Sequence, residues 1–435
     1  MLRRRFLQTV AYGAAVALGS SGRLARAAVP RLADERIVVL GGGFAGAQAA
    51  SDLRRIAPQL DVTLVDKHDD FLVGPLVFDY LFGKSDLEQI TVGYDGLRRR
   101  GVQVVRAEVV GVDPGRRLVR TATGDLPYTR LILATGTRLA YDAVDGLTED
   151  TADNLCAYDR TSLVTLRRRI SELDGETIIV GIPDARLVCP PAPYEFVLLL
   201  AEHIRRKQLA AKIIVLDAGV APQPQPLAEH FAREIARLHG TVEYVDSIGA
   251  IQSIDTAQKT VRTSFGDEFN YSWLSIMPQG TVPEFVRDLD LAEVSGATFA
   301  YVDPQSMRSA KHDNMFAIGD VAQTPYGKSA FAAVACAGVC ARQIAADLEI
   351  APPDNPRVVD VACYPHVDAR SALSMKVRYE FVASPGGDHL QSTARVTDAD
   401  AANADERRRW LDTTLAGAFG WPADPPPAAE SIGRK

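Results

Sequence analysis

Arg36-Ile-Val-Val-Leu-Gly-Gly-Gly-Phe-Ala-Gly46 decides the fold. A short β-branched run ends in a glycine turn, the helix-forming stretch Ala47 to Ile56 follows, and Val62-Thr-Leu-Val65 reads as a second strand closed by Asp66 and Lys67. That order is a βαβ unit. Gly41, Gly43 and Gly46 stand at the spacing that permits a tight turn, close approach of backbone to a pyrophosphate, and close packing of helix on strand. Phe44 and Ala45 then open the helix whose N-terminus faces the phosphates. Asp66, about 20 residues beyond the turn, sits where a carboxylate accepts a hydrogen bond from a ribose hydroxyl. The glycines alone would be a weak sign; with the strand before, the helix after and the acid beyond, they make a dinucleotide-binding motif.

Two later segments return to the same sheet. Leu131-Ile-Leu-Ala134-Thr135-Gly136 is a strand ending in a small-residue turn, and Asn314-Met-Phe-Ala-Ile-Gly319-Asp320 is a strand ending in a Gly-Asp pair. Both resemble the returning segments of the glutathione-reductase-like flavoproteins, in which the Asp of that pair holds the ribityl chain of FAD. The resemblance makes the dinucleotide FAD and places Ala134, Thr135, Gly136, Gly319 and Asp320 around it. A helix N-cap is the simpler alternative for Asp320.

Between these segments, strands Thr177–Gly181, Lys212–Asp217 and Thr241–Val245 alternate with helices near 194–207 and 227–238, which predicts a second parallel sheet. Its first strand runs into Gly181-Ile-Pro-Asp-Ala-Arg-Leu-Val-Cys189-Pro-Pro. Pro183, Pro190 and Pro191 remove backbone donors from the loop that would have to wrap a pyrophosphate, so no nicotinamide site is expected. From about Pro352 the pattern changes to a strand at Met375–Phe381, a charged helix from Ala401 to Phe419 and a Pro/Ala-rich tail. The run Asp405-Glu-Arg-Arg-Arg409 reads as a solvated helix face. The expected fold class is therefore α/β: two Rossmann-like dinucleotide-binding domains, glutathione-reductase-like, with a small C-terminal α+β interface or capping domain. The expected divisions are a signal over 1–27, an FAD domain in two parts (36–150 and 273–352), the second Rossmann-like domain (151–272), and the C-terminal domain (353–435).

A chain of 435 residues is too long for one core and divides into roughly three domains. Its net charge of −7 argues against nucleic acid, which needs a concentrated basic surface. At the N-terminus Arg3-Arg4-Arg5-Phe6-Leu7, an apolar stretch to about Gly19 and Ala25-Arg26-Ala27 read as a twin-arginine export signal, with a mature start near Ala28 in the periplasm. No later segment reads as a transmembrane helix. Five cysteines cannot all pair. Cys336 and Cys340 share a helix face and are expected to be buried; Cys156 has no informative surroundings, and no metal site is expected.

Cys189 in Cys189-Pro-Pro-Ala-Pro-Tyr-Glu195 and Cys363 in Cys363-Tyr364 carry the sharper resemblance. With Val38-Val-Leu-Gly-Gly-Gly-Phe-Ala-Gly46, Pro325-Tyr-Gly-Lys-Ser329, and Trp410 with Ala418-Phe-Gly420, they resemble segments of the flavoprotein subunits of the flavocytochrome c sulfide dehydrogenases. The family's own cysteine segment reads Cys-Pro-Pro-Gly-Pro-Tyr-Glu. That resemblance implies a Cys189–Cys363 disulfide over the flavin, hydrosulfide as substrate, and a c-type cytochrome subunit as electron acceptor. Within it Glu195 takes the role of proton acceptor, against a plain helix-start acid, and Lys328 that of a counter-charge to reduced flavin, against a solvated lysine on a turn.

The chain departs from the family at Phe71-Leu-Val-Gly74-Pro75-Leu-Val-Phe78, which lacks the cysteine that many members use to attach FAD. FAD is therefore expected to bind non-covalently. Pro365-His366 after the Cys-Tyr pair is a second departure. Two rivals stand beside the cytochrome-linked reading. A sulfide:quinone oxidoreductase resembles the family in fold and cysteine–flavin chemistry; the export signal and the lack of a third suitably placed cysteine and of an apolar C-terminal helix weigh against it. A non-catalytic flavin-binding partner of a cytochrome is the other.

Overall fold

The computed structural model describes residues 32–148, 160–183, 187, 189–219, 224–277, 279–292, 299–352, 356–385 and 387–421. The segment expected to be an export signal, Cys156 and the tail beyond Trp421 lie outside the described residues.

Two parallel sheets organise the molecule. The first contains β1 (Arg36–Leu40), β2 (Asp61–Asp66), β3 (Gln103–Arg106) and β4 (Arg130–Leu133). The second contains β5 (Thr177–Ile182), β6 (Lys212–Asp217), β7 (Val242–Val245) and β8 (Trp273–Ile276). β9 (Met315–Ala317) returns to the first, so its spatial order is β9-β4-β1-β2-β3, and that of the second is β7-β6-β5-β8. Ile37, Val39 and Leu40 of β1 have no exposed surface, as befits a central strand covered on both faces.

β8 corrects the expected boundary at 273. It pairs parallel to β5 from Ile178↔Trp273 to Gly181↔Ile276, so the second sheet reaches Ile276 before the chain returns to the first domain. A three-stranded antiparallel ribbon is inserted before the last strand of each half: Val109–Asp113, Leu118–Thr121 and Gly124–Pro127 in the first, and Ile251–Asp255, Thr260–Thr263 and Glu268–Asn270 in the second.

Among the helices around the cavity between these sheets and the C-terminal unit are α1 (Phe44–Ile56), α2 (Val77–Leu81), α3 (Ala192–Lys207), α4 (Ala330–Asp347) and α5 (Ala401–Phe419). α4 is long and apolar enough to cross a membrane, contrary to the expectation that no segment is. It is nonetheless a core helix: it packs along α1, and its Cys336, Ala337, Cys340 and Ile344 are at most 1% exposed. The thiols of Cys336 and Cys340 are inert in that setting, Cys336 being pushed up to about 12 by burial. The C-terminal unit is an antiparallel sheet of β10 (Val358–Cys363), β11 (Ala372–Val382) and β12 (His389–Asp400), followed directly by α5. α5 turns back over α1, against which it packs.

Candidate active site

The C-terminal ends of β1, β2 and β4, the N-terminus of α4 and the inner face of α5 enclose a cavity of 1770 Å³. Gly41, Gly43, Phe44, Ala45, Asp66, Lys67, Ala134, Thr135, Gly136, Gly319 and Asp320 all line it, so the expected cofactor residues converge on one elongated space. Gly41 has φ +104°, and a Cβ there would stand 2.3 Å from the carbonyl oxygen of Ala134; only glycine lets β1 turn this close to β4. Gly46 does not line the cavity. A Cβ on it would meet the Gly41 carbonyl at 1.9 Å, so its part is to let α1 seat against the turn. The Asp66 carboxylate accepts from the Gly42 N–H at 2.6 Å and the His68 N–H at 2.8 Å, fixing the glycine turn to β2 while still facing the cavity.

Asp320 is not a helix N-cap. Ser329 caps α4, accepting from the Ala332 N–H at 3.1 Å, while Asp320 sits in a single 3-10 turn after β9. Burial raises the Asp320 carboxyl to about 6, and the Lys328 ammonium opposes that rise. Lys328 lies elsewhere than expected. Its Nζ donates to the carbonyls of Asp320 at 2.6 Å and Ala322 at 3.3 Å and rests 3.7 Å from the centroid of the Phe299 ring, outside the cavity lining. A lysine so tied supports the Gly-Asp turn rather than reaching toward a ring. The positive end of α4, at Ser329, Ala330 and Phe331, is what faces the cavity instead.

The two cysteines face the same cavity. Cys189 lies on the turn before α3, its carbonyl accepting from the Ala192 N–H at 3.0 Å, and Cys363 ends β10; both line the cavity. No disulfide joins them, so the pair stands as thiols. Burial raises the Cys363 thiol well above its ordinary value, with Cys189 and then Glu195 adding to the rise, and Arg407 opposing it. The four groups therefore share one electrostatic environment. Glu195, in the first turn of α3, is 7% exposed and lines the same wall. Burial raises its carboxyl to about 7, against the pull of Arg407 and a hydrogen bond from the His366 N–H at 3.0 Å. A carboxyl that titrates near neutrality beside two thiols is suited to taking up a proton.

Arg407 departs from the solvated face expected of residues 405–409. Its neighbours Asp405, Arg408 and Arg409 are exposed, but Arg407 turns into the cavity wall, reaching His366 Nε2 at 2.6 Å and donating to the carbonyl of Pro75. A register signal existed: Arg407, Leu411, Thr414, Leu415 and Ala418 lie on one stripe at helical spacing, and the last four are buried. Trp410 stacks on Phe331, centroids 3.6 Å apart and planes at 16°, so α5 and α4 meet through two aromatic faces that also line the cavity.

Comparisons with known proteins agree with this architecture. Residues 35–181 match the family model "Pyridine nucleotide-disulphide oxidoreductase", and residues 163–278 match "Sulfide dehydrogenase [flavocytochrome c] flavoprotein chain, central". The solved structure of the sulfide:quinone oxidoreductase from Aquifex aeolicus superposes with a TM-score of 0.74 at 18% identity, covering 90% of this chain and 93% of that one. The chain has the fold of the FAD-dependent disulfide oxidoreductases.

Among such oxidoreductases, the mitochondrial sulfide:quinone oxidoreductase of Dictyostelium discoideum is 24% identical over 309 residues, 68% of this chain and 67% of that protein. The sulfide-quinone reductase of Aquifex aeolicus is 23% identical over 309 residues, 67% and 69% respectively. A NAD-dependent persulfide reductase from A. fulgidus shares the fold at a TM-score of 0.61 and 15% identity, over 88% of this chain and 77% of that one. FAD, the cofactor this fold implies, fits the residues present. The side-chain-free turn at Gly41, the inward Asp66 and the buried Asp320 carboxyl together suit a pyrophosphate, a ribose and a polyol chain.

Proposed function

We propose that this protein is an FAD-dependent sulfide oxidoreductase that oxidises hydrosulfide at Cys189 and Cys363. The observation that carries the reading is the meeting of these two thiols and the buried Glu195 carboxyl on the wall of the cavity that the glycine turn, Asp66 and Asp320 also line. When bound, FAD supplies a two-electron acceptor that passes electrons onward. The protein's share of the chemistry is the sulfur exchange. In the oxidised protein Cys189 and Cys363 form a disulfide, and the thiol pair is its two-electron-reduced state. Hydrosulfide attacks one sulfur, a new S–S bond forms as the old one breaks, and the second cysteine leaves as a thiolate carrying the electron pair. Glu195 takes the proton of the attacking sulfur. Arg407 holds negative charge at the pair, since it opposes the rise of the Cys363 thiol.

For the acceptor, we put a quinone ahead of the cytochrome, because sulfide:quinone oxidoreductases are among the relatives matched over about two thirds of both chains. The stacked Phe331 and Trp410 at the cavity wall supply aromatic faces suited to a flat ring. A second reading, transfer to a c-type cytochrome in the periplasm after twin-arginine export, is supported by the match of residues 163–278 to the flavocytochrome model. FAD is held without a covalent bond in either case.

Anaerobic titration of the FAD-loaded protein with sulfide tests the core reading: bleaching near one equivalent with a long-wavelength charge-transfer band is expected, and an unchanged oxidised spectrum would sink it. Reoxidation by a soluble quinone analogue or by cytochrome c then decides the acceptor. Acid precipitation is expected to release the flavin into the supernatant; a yellow pellet would show a covalent link.

A further inference from the structure

Behind the wall that carries Glu195 lies a second, closed-in chamber of 60 Å³. The charged and titratable groups around it are Asp79 of α2, Lys84 of the following turn, Glu202, His203 and Arg206 of α3, and His366 of the loop after β10. Phe78 is the partition, lining the chamber on one side and the large cavity on the other. On α3, positions 195, 199, 202, 203 and 206 recur at helical spacing, so one stripe leads from Glu195 along the chamber to the exposed Arg206.

The loop over the chamber is pinned at both ends by carboxylates of that stripe. Glu195 accepts from the His366 N–H at 3.0 Å and Glu202 from the Ala369 N–H at 2.7 Å. Lys84 closes the side, donating to the Ala369 carbonyl at 2.8 Å and pairing with Asp79 at 3.8 Å. One imidazole nitrogen in the lining, Nδ1 of His203, is buried without a partner of hydrogen-bond geometry among the described residues, whereas the ring of His366, 8% exposed, has the backbone of Ser371 and Asp368 beside it. Arg407 donates to His366 Nε2, which fixes the ring as the neutral tautomer with its N–H at Nδ1. The walls are largely apolar, with Phe78, Phe82, Leu199 and Ala369 among them, but the carboxylates of Asp79 and Glu202 and the unpartnered His203 Nδ1 give polar anchors to a space with room for a few waters, each of which needs roughly 10–15 Å³.

We propose that this chamber conducts the proton taken up by Glu195 out to solvent through its waters, with Asp79, Glu202 and His203 as positioning residues. The proposal rests on the sulfide reading above. Oxidation of hydrosulfide to the level of elemental sulfur releases two electrons and one proton; FAD would take the electrons together with a proton drawn from solvent, and the proton on the Glu195 carboxyl must leave separately before the next hydrosulfide enters. Glu195 feels Asp79 and Lys84 as neighbouring charges, so the chamber groups and the carboxyl are already in electrostatic contact.

The test is rapid mixing of the FAD-loaded protein with sulfide at pH 8, following the flavin absorbance together with the infrared band of a protonated carboxyl, assigned by its absence in Glu195→Gln. The band is expected to rise with bleaching and then decay. Ala369→Leu, which fills the chamber, is expected to slow the decay about tenfold and enlarge its solvent isotope effect, with bleaching of the first equivalent retained. Glu202→Gln keeps the bond to the Ala369 N–H and serves as a second variant, with a several-fold slower decay expected. Decay at the unsubstituted rate in a folded, FAD-loaded Ala369→Leu or Glu202→Gln protein overturns the proposal, as does bleaching with no carboxyl band. Failure of the unsubstituted protein to bleach overturns the sulfide reading instead, and the proton route falls with it.

Discussion

At Glu195, burial and charge pull against each other, and burial wins: the carboxyl titrates near 7 although a guanidinium faces it. Between its ordinary value of 4.5 and about 7 the folded protein binds a proton that the unfolded chain has lost, so stability falls as pH rises through that window. Glu195→Gln, whose amide oxygen can still accept from the His366 N–H, is therefore expected to stabilise the fold at pH 8 by up to about 3 kcal/mol and to be neutral at pH 4, read by denaturant melts at both pH values. The same variant tests catalysis. With hydrosulfide held constant, flavin bleaching should accelerate as pH rises through about 7 in the parent protein and be pH-independent and about a hundredfold slower in the variant. Cys189→Ser and Cys363→Ser are each expected to retain FAD and lose sulfide-driven bleaching altogether. Asp320→Ala is expected to lose FAD, because its carboxyl lines the cavity in a turn packed against Ala45 of the glycine turn; flavin content after gel filtration separates the two classes.

Among the elements, α5 joins the two halves of the site, since it carries Arg407 and Trp410 and is anchored at its C-terminal end. Arg100, from the first domain, donates to the carbonyls of Ala416 at 2.8 Å, Gly417 at 2.5 Å and Ala418 at 3.2 Å, so a part-buried guanidinium satisfies the last turn of the helix. Gly96 makes the approach possible: a Cβ there would fall 1.7 Å from the Phe419 carbonyl oxygen. Gly96→Ala is thus expected to lift the end of α5, speeding FAD dissociation and opening α5 to protease while the parallel sheets stay folded; unchanged flavin retention would mean that the helix is not what closes the cavity. The helix itself was legible, its expected limits coinciding with Ala401–Phe419. The role of Arg407 was not, because a run of alternating charges reads as solvated unless the register of the apolar residues after it is traced back one turn. The meeting of Cys189 with Cys363 was also beyond local pattern. Nothing near either residue specifies the other, and only resemblance to a known family connected them, whereas the glycine turn announced its own function through short-range sterics.

On the scale of the whole molecule, two sheets of the same kind have gone different ways. The first keeps an open crevice at the ends of its strands; the second closes the equivalent place. Asp217, at the end of β6, occupies the position that Asp66 holds at the end of β2, but its Oδ2 accepts from Tyr194 at 2.7 Å and from Tyr244 at 2.6 Å, its Oδ1 accepts from the Gly219 N–H at 2.8 Å, and it is 1% exposed. An acid so engaged is a poor acceptor for a ribose, and withdrawing it would break the hydrogen bonds of two tyrosine hydroxyls and of the Gly219 N–H. Tyr194 belongs to α3, the helix that also carries Glu195, so the residue that seals the second sheet is the chain neighbour of the residue placed beside the thiols. On the proposed function, the second domain would serve as a platform for the sulfur chemistry, and we propose that it does not bind a dinucleotide. NADH and NADPH are accordingly expected to leave the FAD spectrum unchanged under anaerobic conditions in which sulfide bleaches it. Tyr194→Phe with Tyr244→Phe, which frees Asp217, is expected to lower stability without creating pyridine-nucleotide reactivity, because Pro183 stands where the phosphate loop needs a backbone donor. Bleaching by NADH in the parent protein would show that the second sheet still admits a nicotinamide, and would point to a nucleotide-linked reductase instead.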